Sequence, residues 1–347
     1  MKNGIYFFIK FLVKLGLYAY HKKIEVHGPE HVPKDKPVLF LPNHQSALLD
    51  VLLIVVDCNR KPFFLTRADV FGKPFLNTIF EFFRMIPIYR MRDGKDTLTK
   101  NDLIFSKCAD ILNNRDALVM FPEANHSLKR RVRPLSKGFT RILFKTIDKY
   151  PDLDIQLVPV GLNYKDAEGF PDEVAIYYGK PIALHSILDR TDFNASAKTI
   201  KNLVSDRLKN LTTHIEAEDT YEKVIHYLNE KNVDYLRPKL VNKLISEYVP
   251  SVTKETMHNL KGKRISFLYP LFVLLNLPII LVWRFMVKPK VWEPEFIGTL
   301  RFATALLGFS FYYSGLFIAL TFLNGAGFAL AAILILFIFN WVYIKYA

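Results

Sequence analysis

The chain has 347 residues, with 47 Lys plus Arg against 33 Asp plus Glu, a formal charge of +14. Half of it is apolar and 14% aromatic, which excludes a disordered chain because there is ample apolar surface to bury. Two cysteines, Cys58 and Cys108, exclude a disulfide framework and a multi-cysteine zinc site and fit a reducing compartment. From about Ile265 onward the chain is overwhelmingly apolar, so the excess cations lie before that point. A basic polar part joined to an oily tail points to an anionic membrane surface before it points to nucleic acid. No zinc-finger spacing or aromatic RNA-binding block supports the latter.

In chain order, Ile5–Tyr20 is apolar apart from Lys10 and Lys14 on one helical stripe. Those lysines break the apolar run of a secretory signal, and no small-x-small cleavage site follows. Residues 1–21 are expected to form an interfacial anchor helix whose lysines reach the lipid headgroups, with nothing exporting the part that follows.

Residues 22–185 alternate β-rich runs with helical patterns. Strands are expected at Ile24–His27, Val38–Pro42, Pro62–Leu65, Ile86–Tyr89, Leu118–Phe121, Gln156–Leu162 and Val174–Tyr178. Helices are expected near 45–57, 69–84, 98–113 and 138–149. This alternation predicts an α/β fold, a mixed sheet flanked by helices, with its site on loops at strand ends. Residues 186–262 read as a polar helical accessory region, and 263–347 as a membrane region.

In that last region Phe302–Leu323 and Gly325–Ile344 carry no charge. As helices they measure about 33 and 30 Å, enough to cross the hydrocarbon layer as a tight hairpin. Ile265–Trp283 is interrupted by Pro270, Asn276 and Pro278 and flanked by cations on both sides. Positive residues prefer the cytoplasmic face, so this segment is read as re-entrant or interfacial in preference to a third span. The part before it is then expected on the cytoplasmic side.

Four strand-end segments carry the candidate chemistry. In Pro42–Asp50, His44 leaves an apolar strand and Asp50 lies in the next helix, the layout of a base and its orienting carboxylate. Alone the pair says little, since Asn43 and Asp50 also suit helix capping and His44 a satisfied loop histidine. In Leu118–Ser127 a strand ends in Phe121-Pro122-Glu123, and Lys129, Arg130, Arg131, Arg133 and Lys137 follow. A charge run usually means a solvated face, while its place beside Phe-Pro-Glu at a strand end also suits a phosphate or anionic headgroup. Met85–Arg90 and Val158–Asn163, taken singly, read as core strands.

Together and in this order, over roughly residues 22–185, the four resemble the glycerolipid acyltransferase superfamily, which includes lysophosphatidate and glycerol-3-phosphate acyltransferases. The resemblance implies a cytosol-facing enzyme that moves an acyl chain from a thioester to a hydroxyl of a glycerol-phosphate acceptor. By position it implies His44 as general base and Asp50 as the residue holding its ring. Asn43 and Arg90 would contact the acceptor, Arg90 at its phosphate. Glu123 would organise the acceptor pocket, and Val158 and Pro159 would support its wall. Such chemistry needs no metal and no bound cofactor; acyl-CoA or acyl carrier protein is a co-substrate, and membrane lipids are the partners.

The sequence departs from the family pattern in three places. Five residues separate His44 from Asp50 instead of four, which resembles a subgroup of fungal glycerol-3-phosphate/dihydroxyacetone-phosphate acyltransferases and requires His44 in the loop and Asp50 in the helix. Glu123-Ala124-Asn125-His126 replaces the usual Glu-Gly-Thr-Arg, so Arg130, Arg131 or Arg133 is expected to take over the phosphate. Ala124 and Arg84 stand where glycine is usual, and Ala124 would be strained at any positive φ. The acceptor expected first is lysophosphatidate, then glycerol-3-phosphate or dihydroxyacetone phosphate. A non-catalytic lipid-binding protein is the reading of a different class. A lipid hydrolase lacks its Gly-x-Ser-x-Gly elbow here.

Overall fold

Apolar runs between Lys23 and Ala183 pair into one eight-stranded sheet in the computed structural model, which describes residues 2–71, 74–89, 97–249 and 268–346. The strands are β1 (Lys23–His27), β2 (Val38–Pro42), β3 (Phe63–Arg67), β4 (Met85–Ile88), β5 (Ala117–Val119), β6 (Gln156–Tyr164), β7 (Glu173–Tyr178) and β8 (Ile182–Ala183). Their spatial order is β1-β7-β6-β2-β5-β3-β4, with β8 beside β6. Pairs are parallel except β6–β7 and β6–β8, so the sheet is mixed, as expected.

The helices in the first half are α1 (Lys2–Tyr20), α2 (Ala47–Asp57), α3 (Pro74–Phe82), α4 (Thr97–Asn113) and α5 (Gly138–Lys149). Then come α6 (Phe193–Leu211), α7 (Tyr221–Glu230) and α8 (Pro238–Ser246). β2 shows why the sheet is covered on both sides. Val38 and Phe40 face Leu49 and Leu53 of α2, whereas Leu39 and Leu41 face Leu112 of α4 and Phe139 of α5. All but Leu49 are fully buried, and strands buried on both faces read as continuous apolar runs. Each such side chain contributes about 1.5–3 kcal/mol. α6 packs Ile200, Val204 and Leu208 into the α4–α5 layer, while α7 and α8 share a separate small core around Tyr221, Leu228 and Val241.

Lys10 and Lys14 both find partners at the end of α2, which the sequence alone did not indicate. Lys10 Nζ donates to Cys58 O at 2.9 Å, and Lys14 Nζ lies 2.9 Å from Asp57 Oδ1. The physical reason is the C-terminus of α2, whose last carbonyls and carboxylate attract cations from the neighbouring helix. The outward face of α1 is apolar, with Phe7, Phe8, Phe11 and Leu15 exposed.

The C-terminal part holds α9 (Tyr269–Leu275), α10 (Leu277–Leu281), α11 (Phe296–Asn324) and α12 (Ala326–Tyr346). Beyond α10 the helix runs on through one π-helical turn and one 3-10 turn to Lys290. α11 and α12 are long and apolar enough to cross a membrane, and Gly325, at φ 86°, makes the turn between them. α9 and the segment 277–290 meet at a bend of 86°. At that bend Asn276 and Asn340 exchange amide hydrogen bonds of 2.7 and 2.9 Å, a polar link of the kind that holds apolar helices together.

Both ends of the hairpin are tied back to the sheet-bearing part and α1. Arg301 donates to the carbonyls of Glu168 and Gly169, and Lys345 Nζ to those of Tyr18 and His21.

Candidate active site

β2 and β5 are adjacent parallel strands, so the loops leaving their C-terminal ends emerge side by side. One carries His44 and the other Glu123. The loops are joined directly, because Ser127 N donates to His44 O at 2.9 Å.

Asp50 sits in the first turn of α2 and is fully buried. Its Oδ2 accepts from Gln45 N at 2.8 Å, Ser46 N at 2.9 Å and His44 Nδ1 at 2.8 Å. Its Oδ1 accepts from Tyr164 Oη at 2.5 Å. Four donors converge on a group that only accepts, which puts the ring proton of His44 on Nδ1 and leaves Nε2 with its lone pair. Among the described residues no hydrogen bond is made at Nε2. The ring stacks on Phe121 at 3.8 Å and meets His126 edge-on at 5.5 Å. The ring is thus held in one orientation, a geometry that suits a general base.

The loop geometry around His44 is strained. Ala47 has φ 38° and Ala124 φ 65°, both in the left-handed region that disfavours residues with a Cβ. Arg84 has φ 59° as well. Two of the three positions, Arg84 and Ala124, are those where the sequence departs from glycine.

Glu123 is buried and lies against Arg133, whose Nε donates to its Oε2 at 2.8 Å. Its Oε1 has no partner among the described residues. Burial pushes the carboxyl up to about 7, opposed by the nearby charge of Arg133.

The other expected site residues divide. Asn43, His44, Glu123, Arg130 and Arg131 line one small pocket together with Thr212 and Thr213. Asn43 uses its amide on β6, donating to Leu162 O at 3.0 Å and accepting from Leu162 N at 2.7 Å. Its amide thus locks the loop and does not stand free. Arg130 stacks on Tyr235 at 3.5 Å and donates to the carbonyls of Tyr164 and Lys165, which ties the accessory helices to the sheet. Arg131 pairs with the exposed Glu218 at 3.0 Å and also borders the pocket. Val158 and Pro159 lie in β6 opposite Phe40 and Leu41, short of the pocket; Leu162 and Asn163 of the same strand line it instead. Arg90 lies outside the described residues.

Sequence reasoning missed the contribution of the C-terminal part. Thr299 of α11 accepts from Leu49 N at 3.0 Å and donates to Ser46 O at 3.2 Å, at the start of the helix that bears Asp50. His126 Nε2 is 2.5 Å from Glu293 Oε2, and its ring meets Phe296 edge-on at 5.1 Å. Nothing in local spacing signals contacts this distant along the chain. Tyr164 escaped because the expected strand ended two residues before it.

The family model described as Acyltransferase matches residues 23–163, the stretch that contains His44, Asp50 and Glu123. These residues form an acyltransferase-family domain. The domain is 25% identical over 142 residues to a chloroplastic 1-acyl-sn-glycerol-3-phosphate acyltransferase of Brassica napus, which is 41% of this chain and 39% of that one. It is also 25% identical over 81 residues to a glycerol-3-phosphate O-acyltransferase of Saccharomyces cerevisiae, 23% of this chain and 11% of the other. The matches thus span less than half the length of these curated relatives. A solved lysophosphatidate acyltransferase, PlsC of Thermotoga maritima, superposes with a TM-score of 0.38 at 18% identity, over 54% of this chain and 72% of that one.

Proposed function

We propose that the acyltransferase domain transfers a fatty acyl chain from an acyl thioester to a hydroxyl of a glycerol-phosphate lipid, with lysophosphatidate as acceptor and phosphatidate as product. The observation that carries this reading is buried Asp50 holding His44 at Nδ1, with no hydrogen bond at Nε2 among the described residues. In the proposed step Nε2 takes the proton of the acceptor hydroxyl as its oxygen attacks the thioester carbonyl carbon. The C–O bond forms, the C–S bond breaks, and the proton passes to the departing thiolate. The Asp50 carboxylate stabilises the imidazolium that forms in between.

Arg131, together with Lys129, is the proposed phosphate ligand. Both pair with exposed Glu218, a surface pairing worth little and open to exchange for a phosphate, and Lys129 Nζ also lies 5.3 Å from the centre of the Tyr221 ring. Arg133 is committed to Glu123 and Arg130 to backbone carbonyls. Arg90 keeps its proposed role at the phosphate.

The proposed setting is a membrane, with the α11–α12 hairpin crossing and returning and α1 lying at the interface. The ties of Arg301 and Lys345 support both hairpin ends lying on the catalytic side, and the cation-rich flanks support that side being cytoplasmic. Asn340 lies six rises of about 1.5 Å, roughly 9 Å, from the end of α12, so the bend it holds at Asn276 is shallow. That supports a re-entrant segment and not a third span.

The lysophosphatidate reading is favoured by the Brassica relative and by the apolar helices at the site; the yeast relative favours glycerol-3-phosphate. In lipid nanodiscs with acyl-CoA, the chain is expected to form phosphatidate from lysophosphatidate. Product from glycerol-3-phosphate alone would shift the acceptor. Absence of product from both acceptors, with acyl-CoA and with acyl carrier protein as donor, would favour the non-catalytic reading.

A further inference from the structure

α11 carries a stripe of residues at every third or fourth position, Phe296, Leu300, Ala303, Leu307, Phe311 and Gly315, which one helical face must share. At its upper end Phe296 touches His126, and His126 touches His44. From Leu300 to Gly315 the stripe forms one wall of an apolar groove of about 890 Å³. Pro278, Ile279 and Val282 of the bent segment form the other wall. The polar side chains that border it are already satisfied, Tyr312 Oη by Leu275 O and Thr304 Oγ1 by Leu300 O. A ligand lying there meets no free polar side chain among the described residues.

The groove's length fits one leaflet counted with its headgroup layer, about half of 40–45 Å. Leu300 to Gly315 is fifteen rises, about 22 Å, and Gly315 lies nine rises, about 14 Å, from the turn-side end of α11. In a hydrocarbon layer of about 30 Å that places Gly315 near the midplane, where lipid tails of the catalytic-side leaflet end. Gly308 brings the walls together, since a Cβ there would lie 3.0 Å from Ile279 Cδ1. A Cβ on Gly315 would meet nothing within 4 Å, so a side chain there projects into open space.

We propose that this groove holds the acyl chain of the lysophospholipid acceptor, and that Gly315 sets the longest chain accommodated. The inference rests on the acyl-transfer reading and deepens it. A membrane-resident acceptor whose hydroxyl sits at His44 and whose phosphate sits at the interface must run its chain down the leaflet. The stripe that begins beside His126 is the apolar path leading down from that centre. The groove is open along its side, so a lipid enters laterally without leaving the bilayer.

The test is a kinetic comparison of wild type, Gly315→Leu and Gly315→Trp in nanodiscs, with lysophosphatidate acceptors of eight to eighteen carbons and a fixed acyl-CoA. The ratio of kcat/KM for the short over the long acceptor is expected to rise about tenfold or more in Gly315→Trp and less in Gly315→Leu, from methylenes losing their apolar contacts. Gly327→Trp, on α12 with nothing within 4 Å of its Cβ, is expected to leave the ratio unchanged. An unchanged ratio in both Gly315 variants would overturn the proposal, as would a changed preference for donor length with none for acceptor length. Should the variants not fold, wild type labelled by lysophosphatidate with a photoreactive group at its chain end decides. Labelling near Gly315 is expected, and labelling confined to the sheet overturns the groove. Wild type that acylates no lysophosphatidate overturns the acyl-transfer reading itself, whereas normal turnover with an unaltered chain preference overturns the groove alone.

Discussion

Tyr164 Oη donates to Asp50 Oδ1 at 2.5 Å, across 114 positions of sequence. The last residue of β6 thereby fixes the carboxylate oxygen that His44 does not use. Both groups are buried, and Tyr164 is 1% exposed, so water cannot replace the hydroxyl. Tyr164→Phe leaves Oδ1 without a donor, at a cost of about 1–3 kcal/mol. It is expected to lower kcat about tenfold with KM nearly unchanged, measured by steady-state acyl transfer. A change in KM alone would place Tyr164 in acceptor binding.

Much of this arrangement is visible in the sequence. The apolar runs of β2, β5 and β6 and the polar residues at their ends locate His44, Asp50 and Glu123, because strand ends are where such sheets present chemistry. The roles of individual cations are not visible, since Arg130 and Arg131 are adjacent and only packing decides that one stacks on Tyr235 while the other borders the pocket. The partners of Lys10 and Lys14 are hidden for a similar reason. A stripe of lysines on an apolar helix suits headgroups until a neighbouring helix end offers better partners. Thr299, 250 positions from Leu49, is legible only once the chain is folded.

Backbone strain gives a contrast between two positions. Ala124 is exposed and has φ 65°, so Ala124→Gly relieves the left-handed conformation without losing packing. A net gain of about 0.5–1 kcal/mol is expected after the flexibility gained by the unfolded chain, seen as a rise in Tm of roughly 1–3 °C. Arg84→Gly relieves the same strain but loses the guanidinium stacked at 3.7 Å on Phe63 and its contact with Asp116, so no gain is expected there. Thermal melts of the two variants decide it.

Glu123 links stability to pH. Its carboxyl, raised by burial from 4.5 to about 7, stays protonated in the folded chain where the unfolded chain has already ionised. Its contribution is therefore full below about pH 4.5 and is lost as pH rises through about 7, by roughly 3 kcal/mol in all. Glu123→Gln lacks this loss. Between pH 5 and 8 the Tm of wild type is expected to fall relative to the variant; parallel curves would show that Arg133 holds the carboxylate ionised throughout.

Arg131→Ala separates acceptor binding from chemistry. Removing one charged phosphate ligand is expected to raise the KM for lysophosphatidate about tenfold while kcat changes little. The measurement is a saturation curve at fixed acyl-CoA. An unchanged KM would move the phosphate to Lys129 or Arg90.

The central claim is that His44, aligned by buried Asp50, removes the acceptor's proton. The most direct measurement is single-turnover acyl transfer in nanodiscs by wild type, His44→Ala and Asp50→Asn, with melting temperatures recorded on the same samples. Loss of about 10²–10⁴ in rate for His44→Ala, with the folded state retained, is the predicted result. A folded His44→Ala variant that transfers acyl chains at the wild-type rate would contradict it.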